Sequence, residues 1–276
     1  YVLPRSIADK SKQFHNLEVL EGNRRMSTPI LILSARGLTS SLADTLNYDG
    51  VIVKKRRLLN IPFLSEEEIE NRANSLTEND VENIIRILKS TDITTKIPSL
   101  NPFAYADLLS LSYKIEEMND ESQLGLLDVN KNLVLLNSDG SKIHERFRFT
   151  MAHELGHYVL HLPLFKEQGV TSVGESENTI SISESDSRRL EYQANKFASS
   201  LLMPRKLVYK LYEKYYCVFI QQKYGGELRP LYYNFKQPET RVSYRVVVGN
   251  MAKQMEVSLQ AIDLRLKSLG LLKTPY

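Results

Sequence analysis

The run RFTMAHELGHYVLH, residues 148–161, constrains this chain more than any other stretch. It contains HELGH, an instance of HExxH. Wound as a helix, it sets His153 and His157 one turn apart on one face, where two imidazoles can converge on one metal. Glu154 lies beside them, placed to take a proton from a water that such a metal activates. Met151, Ala152, Leu155, Val159 and Leu160 fall at helical spacing and give the helix an apolar stripe to bury. Bare HExxH also recurs by chance, so the argument needs a second motif that brings a third ligand.

A hydrolytic zinc site takes three protein ligands and keeps one position open. His161 is on the correct face, but one more turn carries it about 6 Å further along the axis at 1.5 Å per residue. It is read as a supporting or structural residue. The spacing HExxHxxGxxH, which would supply a third histidine, is absent. A later carboxylate is then required, and Glu167, Glu175, Glu177, Glu184, Asp186 and Glu191 are available. Residues 162–190 are rich in Gly, Ser, Thr, Asn and Glu and read as a long loop, either a gate or a passive insertion. Loop acids lack the rigid scaffold a metal site wants. Glu191 instead opens a helical run in which Leu190, Ala194, Phe197, Ala198 and Leu201 are apolar. The small Ala194 and Ala198 would let that helix dock closely on the first. Glu191 is therefore the expected third ligand, with His161 and Asn195 expected to support the ligands.

Around this pair of motifs the chain is mostly helical. Ser65-Glu66-Glu67-Glu68 is a capping-box pattern opening a helix, and Thr77 reads as the start of another. Asn101-Pro102 begins a third. Strands are expected near 112–117, 124–129 and 132–137, the last two forming a hairpin through Asn130-Lys131. Ser141 is the expected cap of the long helix reaching about His161. Past Pro204, a run from Lys206 to Tyr224 carries Tyr209, Tyr212, Tyr215 and Tyr216. That set would stack bases only if exposed, and its helical spacing favours core packing. Residues 246–255 and 258–269 read as two helices with the cadence of a helix-turn-helix. A fainter echo of that motif sits at 34–46.

Composition narrows the class. With 42% hydrophobic and 25% charged residues, the chain is an ordinary globular protein, and no apolar run nears the ~18 residues of a membrane span. A lone Cys217 excludes an internal disulfide framework and points to a reducing cytoplasm; its apolar neighbours read it as a core thiol. The opening residue is Tyr1 rather than Met, which suggests a truncated or processed chain. Net charge is +3, divided as +5 over residues 1–62, −6 over 63–240 and +4 over 241–276. Basic ends, including Lys54-Lys55-Arg56-Arg57, could meet DNA or an acidic partner, or simply face solvent.

RFTMAHELGHYVLH followed by EYQANKFASSLLMP strongly resembles the ImmA/IrrE metallopeptidases, over roughly residues 65–204 and including the strand Gly125-Leu126-Leu127-Asp128. By that resemblance His153, His157 and Glu191 match metal ligands and Glu154 matches the general base. The resemblance implies zinc (or manganese) as cofactor and a protein substrate, a helix-turn-helix repressor whose cleavage relieves repression in bacteria and mobile elements. It also implies an α+β fold: a small antiparallel three-stranded sheet packed on a helical zincin-like core, with additional C-terminal helices. The expected domains are 1–62, 63–204 and 205–276. Two departures stand out: the loop between the motifs is longer, and residues 1–62 match nothing in the family. His144, Tyr158 and Tyr192 are candidates for stabilising an oxyanion, and strand 124–128 for holding substrate backbone. Two rivals compete. One is a DNA-binding regulator with a vestigial metal site, against which the intact Glu154 argues; the other is a protein-binding module stapled by zinc.

Overall fold

The computed structural model describes residues 17–20, 45–48, 51–55, 58–118, 123–138, 140, 143–168, 172–173, 181–222 and 225–275. The chain divides into two compact units, Tyr1–Pro62 with Glu177–Arg188, and Phe63–Ser176 with Arg189–Tyr276. In the first, β1 (Leu17–Leu20), β2 (Thr45–Tyr48) and β3 (Val51–Lys55) form an antiparallel sheet with β3 in the middle. β4 (Leu58–Leu59) pairs in parallel with β9 (Ser181–Ile182). Most of the helix-turn-helix echo, residues 34–44, lies outside the described residues, as do Arg56, Arg57, Ser141, Glu175 and Glu177.

The second unit begins with α1 (Glu66–Ser90), closed by the expected capping box between Ser65 and Glu68, a device worth about 1 kcal/mol. Thr77 does not start a new helix. Its hydroxyl bonds back to the carbonyls of Ala73 and Asn74, and the buried stripe Ile69, Ala73, Val81, Ile84, Leu88 runs straight past it. Continuous burial outweighs a local capping signal here. After α2 (Pro102–Leu108), capped by Asn101, come β5 (Ser112–Glu116), β6 (Gly125–Asp128), β7 (Leu133–Asn137) and a two-residue β8 (Ser172–Val173). β6 and β7 make the expected hairpin, its turn tied by Asp128 Oδ1 to the N–H groups of Asn130 and Lys131.

The fold is α+β, but the sheet is mixed and has a fourth short strand, with order β5-β7-β6-β8. β5 runs parallel to β7, which corrects the expectation of a purely antiparallel three-stranded sheet. Because the hairpin partner β6 already covers one side of β7, the preceding strand adds to the other side. It then points the same way as β7.

α3 (His144–Gln168) packs on α2 and β6 and runs two turns beyond His161, through Pro163. A proline there removes the hydrogen bond to the carbonyl four residues back and crowds that carbonyl with its ring. α4 (Glu184–Leu202) likewise starts well inside the stretch read as loop, its first turn tied by Ser183 Oγ to the Asp186 N–H (3.0 Å). α5 (Arg205–Tyr216) continues into a π-helical turn over Cys217–Gln221. Tyr212, Tyr215 and Tyr216 are buried, as core packing demands, whereas Tyr209 is exposed and corrects that part of the expectation; Cys217 is half-buried.

α6 (Pro238–Met255) and α7 (Leu259–Ser268) follow, and a short parallel pair, β10 (Leu231–Tyr232) with β11 (Leu272–Lys273), brings the end of the chain back. α6 begins two turns earlier than its apolar pattern suggests. α7 is anchored inward: Arg265 is buried, donates to Met203 O (3.0 Å) and pairs with Glu70 of α1. One of the six basic residues of the C-terminal stretch is thus committed to the interior. Among the described residues, no helix is long and apolar enough to cross a membrane.

Candidate metal centre

Two glycines let the elements around HELGH come close. A Cβ built on Gly156 would lie 3.0 Å from both Cα and O of Ala194, so α3 and α4 cross almost backbone to backbone there. That approach brings the first described turn of α4 beyond Arg189, with Glu191, alongside the two histidines. Gly125 of β6 does the same from the sheet side. A Cβ there would meet Glu154 Oε1 at 2.7 Å and Thr150 Cγ2 at 2.8 Å.

The result is a compact donor cluster. His153 Nε2 lies 3.3 Å from one oxygen of Glu191, His157 Nε2 lies 3.5 Å from the other, and the two Nε2 atoms are 3.0 Å apart. One ligand atom from each of the three residues falls within 4.8 Å of the others, so the group could hold a metal ion. His157 is buried and Glu191 half-exposed, which leaves one side of the cluster facing solvent. The donor set fits a divalent cation of the zinc type: two imidazoles and a carboxylate, with space on the solvent side for a fourth group.

Outer contacts orient both rings. His153 Nδ1 lies 3.1 Å from Asn195 Oδ1, so Nδ1–H is donated there and Nε2 is turned to the cluster. His157 Nδ1 lies 3.3 Å from His161 Nδ1, and His161 Nε2 lies 2.8 Å from Gln193 Oε1. The structure thus brings His161 and Asn195 against the rings, as expected, and adds Gln193. The sequence does hold a sign of it. Gln193 falls on the buried stripe Leu190, Ala194, Phe197, Leu201, where a polar residue must find a partner.

Electrostatics separate the groups. Burial, with the Glu191 charge, pushes the Glu154 carboxyl up to about 7, although His153 pulls the other way. The His153 and His157 rings, each with Nε2 against an oxygen of Glu191, hold that carboxyl well below the usual carboxylate range. Burial works against charging His153, yet Glu191 and Glu154 outweigh it and raise its pKa. His157 is lowered by burial, and His161 falls to about 4 for the same reason. Both inner rings are neutral at pH 7.

The other described acids sit away from the cluster's contacts. Glu184 pairs with Arg188, Asp186 accepts from Ser183, and Glu167 is exposed near the end of α3. Among the oxyanion candidates, Tyr192 donates its hydroxyl to Glu66 (2.6 Å) and His144 contacts Glu256. His144 also lies nine residues before His153, about 13 Å of helix rise. Tyr158 is half-buried. Strand β6 is not a sheet edge along its whole length, since β8 pairs with Leu127 and Asp128; among the described residues that pairing does not extend to Gly125 and Leu126.

No curated protein matches the chain. A solved structure described as a Mycobacterium tuberculosis transcriptional regulator is similar at 12% identity with a TM-score of 0.37, covering 74% of this chain and 52% of that one. The chain therefore spans about half of that structure's length. The sequence profile of a peptidase family described by its IrrE N-terminal-like domain matches residues 110–267, which takes in β6, β7, both ligand-bearing helices and most of the C-terminal pair. That is more than half of the chain, and with HELGH and Glu191 meeting inside the matched region, this protein belongs to the IrrE N-terminal-like peptidase family.

Proposed function

We propose that the protein is a zinc-dependent metallopeptidase that hydrolyses a peptide bond in a protein substrate, a helix-turn-helix transcriptional repressor, and so relieves repression. The observation that carries the reading is the convergence of His153, His157 and Glu191 beside a buried Glu154. His153, His157 and Glu191 would hold the metal. A bound zinc (or manganese) ion would polarise the scissile carbonyl and bring the pKa of a water to about 7. Glu154 accepts the proton from that water and passes it to the leaving amine. Its burial suits both halves of the task, because a carboxyl raised toward neutrality holds a proton more readily than an exposed one. The half-buried Gly125–Leu126 stretch of β6 lies next to Glu154, and substrate backbone would align there as an added strand. Residues 63–204 form the proposed catalytic domain, with 205–276 closing it and 1–62 an extension.

The test is co-expression with helix-turn-helix repressors encoded nearby, read by mass spectrometry of the intact repressors. The chain should produce two fragments from one of them, and Glu154→Gln should not, while keeping its metal and its melting temperature. Equal cleavage by Glu154→Gln would remove the base from the mechanism.

A further inference from the structure

We infer that Gln193 and His161 act as a tautomer relay that makes His157 competent to bind metal, and that Gln193 is a positioning residue of the centre. The inference rests on the metallopeptidase reading for its purpose, but its geometry stands alone. Three buried groups lie in a line running inward from the cluster: His157, His161 and Gln193, each at most 2% exposed. The contacts are Nδ1 to Nδ1 at 3.3 Å and Nε2 to Oε1 at 2.8 Å.

A neutral imidazole carries one proton, so one ring nitrogen donates and the other accepts. The Gln193 oxygen can only accept, which places the His161 proton on Nε2 and leaves His161 Nδ1 as an acceptor. His157 must then donate from Nδ1, and its Nε2, facing His153 and Glu191, keeps the free lone pair that a metal requires. Were the carboxamide nitrogen to face His161 instead, every proton in the line would move over. His157 would then present an N–H to the cluster and could not ligate. The orientation of one side-chain amide, two residues from Glu191 on the same helix, thus selects the state of a ligand on another helix. In the outward direction Asn195 does the equivalent for His153 in a single step.

Two measurements test this on the full chain. Long-range proton–nitrogen spectra of the metal-free protein, labelled at histidine nitrogen, should show His157 protonated at Nδ1 and His161 at Nε2. The reverse pattern overturns the relay. In Gln193→Met, of similar volume but without the acceptor, His157 should become a mixture of both forms. Zinc affinity, measured by competition with a chelator, should fall about 10- to 100-fold, the usual effect of losing a group that orients a ligand. His161→Phe should lose affinity to a similar degree. A purely structural role would lower the melting temperature of Gln193→Met yet leave the His157 tautomer and zinc affinity unchanged, and that result also overturns the relay. A wild-type chain that takes up no zinc would sink the metallopeptidase reading, while the nitrogen spectra would still decide the tautomers.

Discussion

Two buried charged clusters in the same unit are built in opposite ways. Glu70 of α1 is almost fully buried between Arg265 of α7 and Arg205 of α5, one oxygen to each guanidinium. Burial alone would raise its pKa, but the two arginines more than offset this and lower it. The carboxylate there has a guanidinium on each oxygen, and the cluster joins three helices. Around Glu191 the partners are instead two imidazoles whose nitrogens crowd one point, while the neighbouring Glu154 is pushed up rather than down. The first arrangement is complete as it stands; the second is complete only with a cation. A buried carboxylate paired to fixed positive charge is part of the frame. A half-exposed carboxylate set against titratable, metal-binding nitrogens has the pattern of a site.

The contrast breaks most visibly if the wrong cluster holds the metal. Glu191→Ala should lower zinc affinity by more than about 10²-fold, beyond the scale seen for supporting groups, whereas Glu70→Gln should leave it unchanged. Metal analysis of both purified variants decides, and a Glu191→Ala chain with full zinc would return the third-ligand question to the remaining acids. Stability should respond in the reverse order. Glu70→Leu leaves the buried Arg265 without its carboxylate and should cost about 3–5 kcal/mol in urea unfolding, with zinc affinity of the folded fraction preserved.

A smaller effect should come from the metal itself. Chelation should destabilise the wild type by about 2.7 kcal/mol relative to zinc at a hundred times its dissociation constant, and Glu191→Ala should lose that response. Melting indifferent to zinc in the wild type would erase the distinction between the clusters.

The smallest effect concerns a third, partly solvated carboxylate. Glu256, in the left-handed link after α6, accepts from Lys96, Ser99 and Arg148 and has its pKa lowered to about 2, the Lys96 contact contributing most. Because the folded value lies below the ordinary 4.5, its contribution is present above that pH and is lost as pH falls toward about 2. Glu256→Gln should flatten this part of the stability profile, modestly, since water screens the site. An unchanged acid limb would show that Glu256 adds nothing to the frame.

The pairing of His153 and His157 beside Glu154 was legible because an α-helix has one period, and HExxH on it can face only one way. The capping box at Ser65, the hairpin after Asp128 and the closeness allowed by Ala194 were legible for a similar reason, as local chemistry decides them. Tertiary structure decided what depends on meetings between distant segments. Thr77 could not be read as mid-helix without knowing that the stripe on both sides is buried together. The parallel pairing of β5 with β7 depends on which edge was left uncovered. The roles of Gly125 and Gly156 are visible only through the atoms a Cβ would strike on another element. Gln193 shows the division within a single residue: its polar side chain on a buried stripe announces that a partner exists. Only the fold, by setting His161 2.8 Å away, determines that the partner is that ring, which in turn contacts His157.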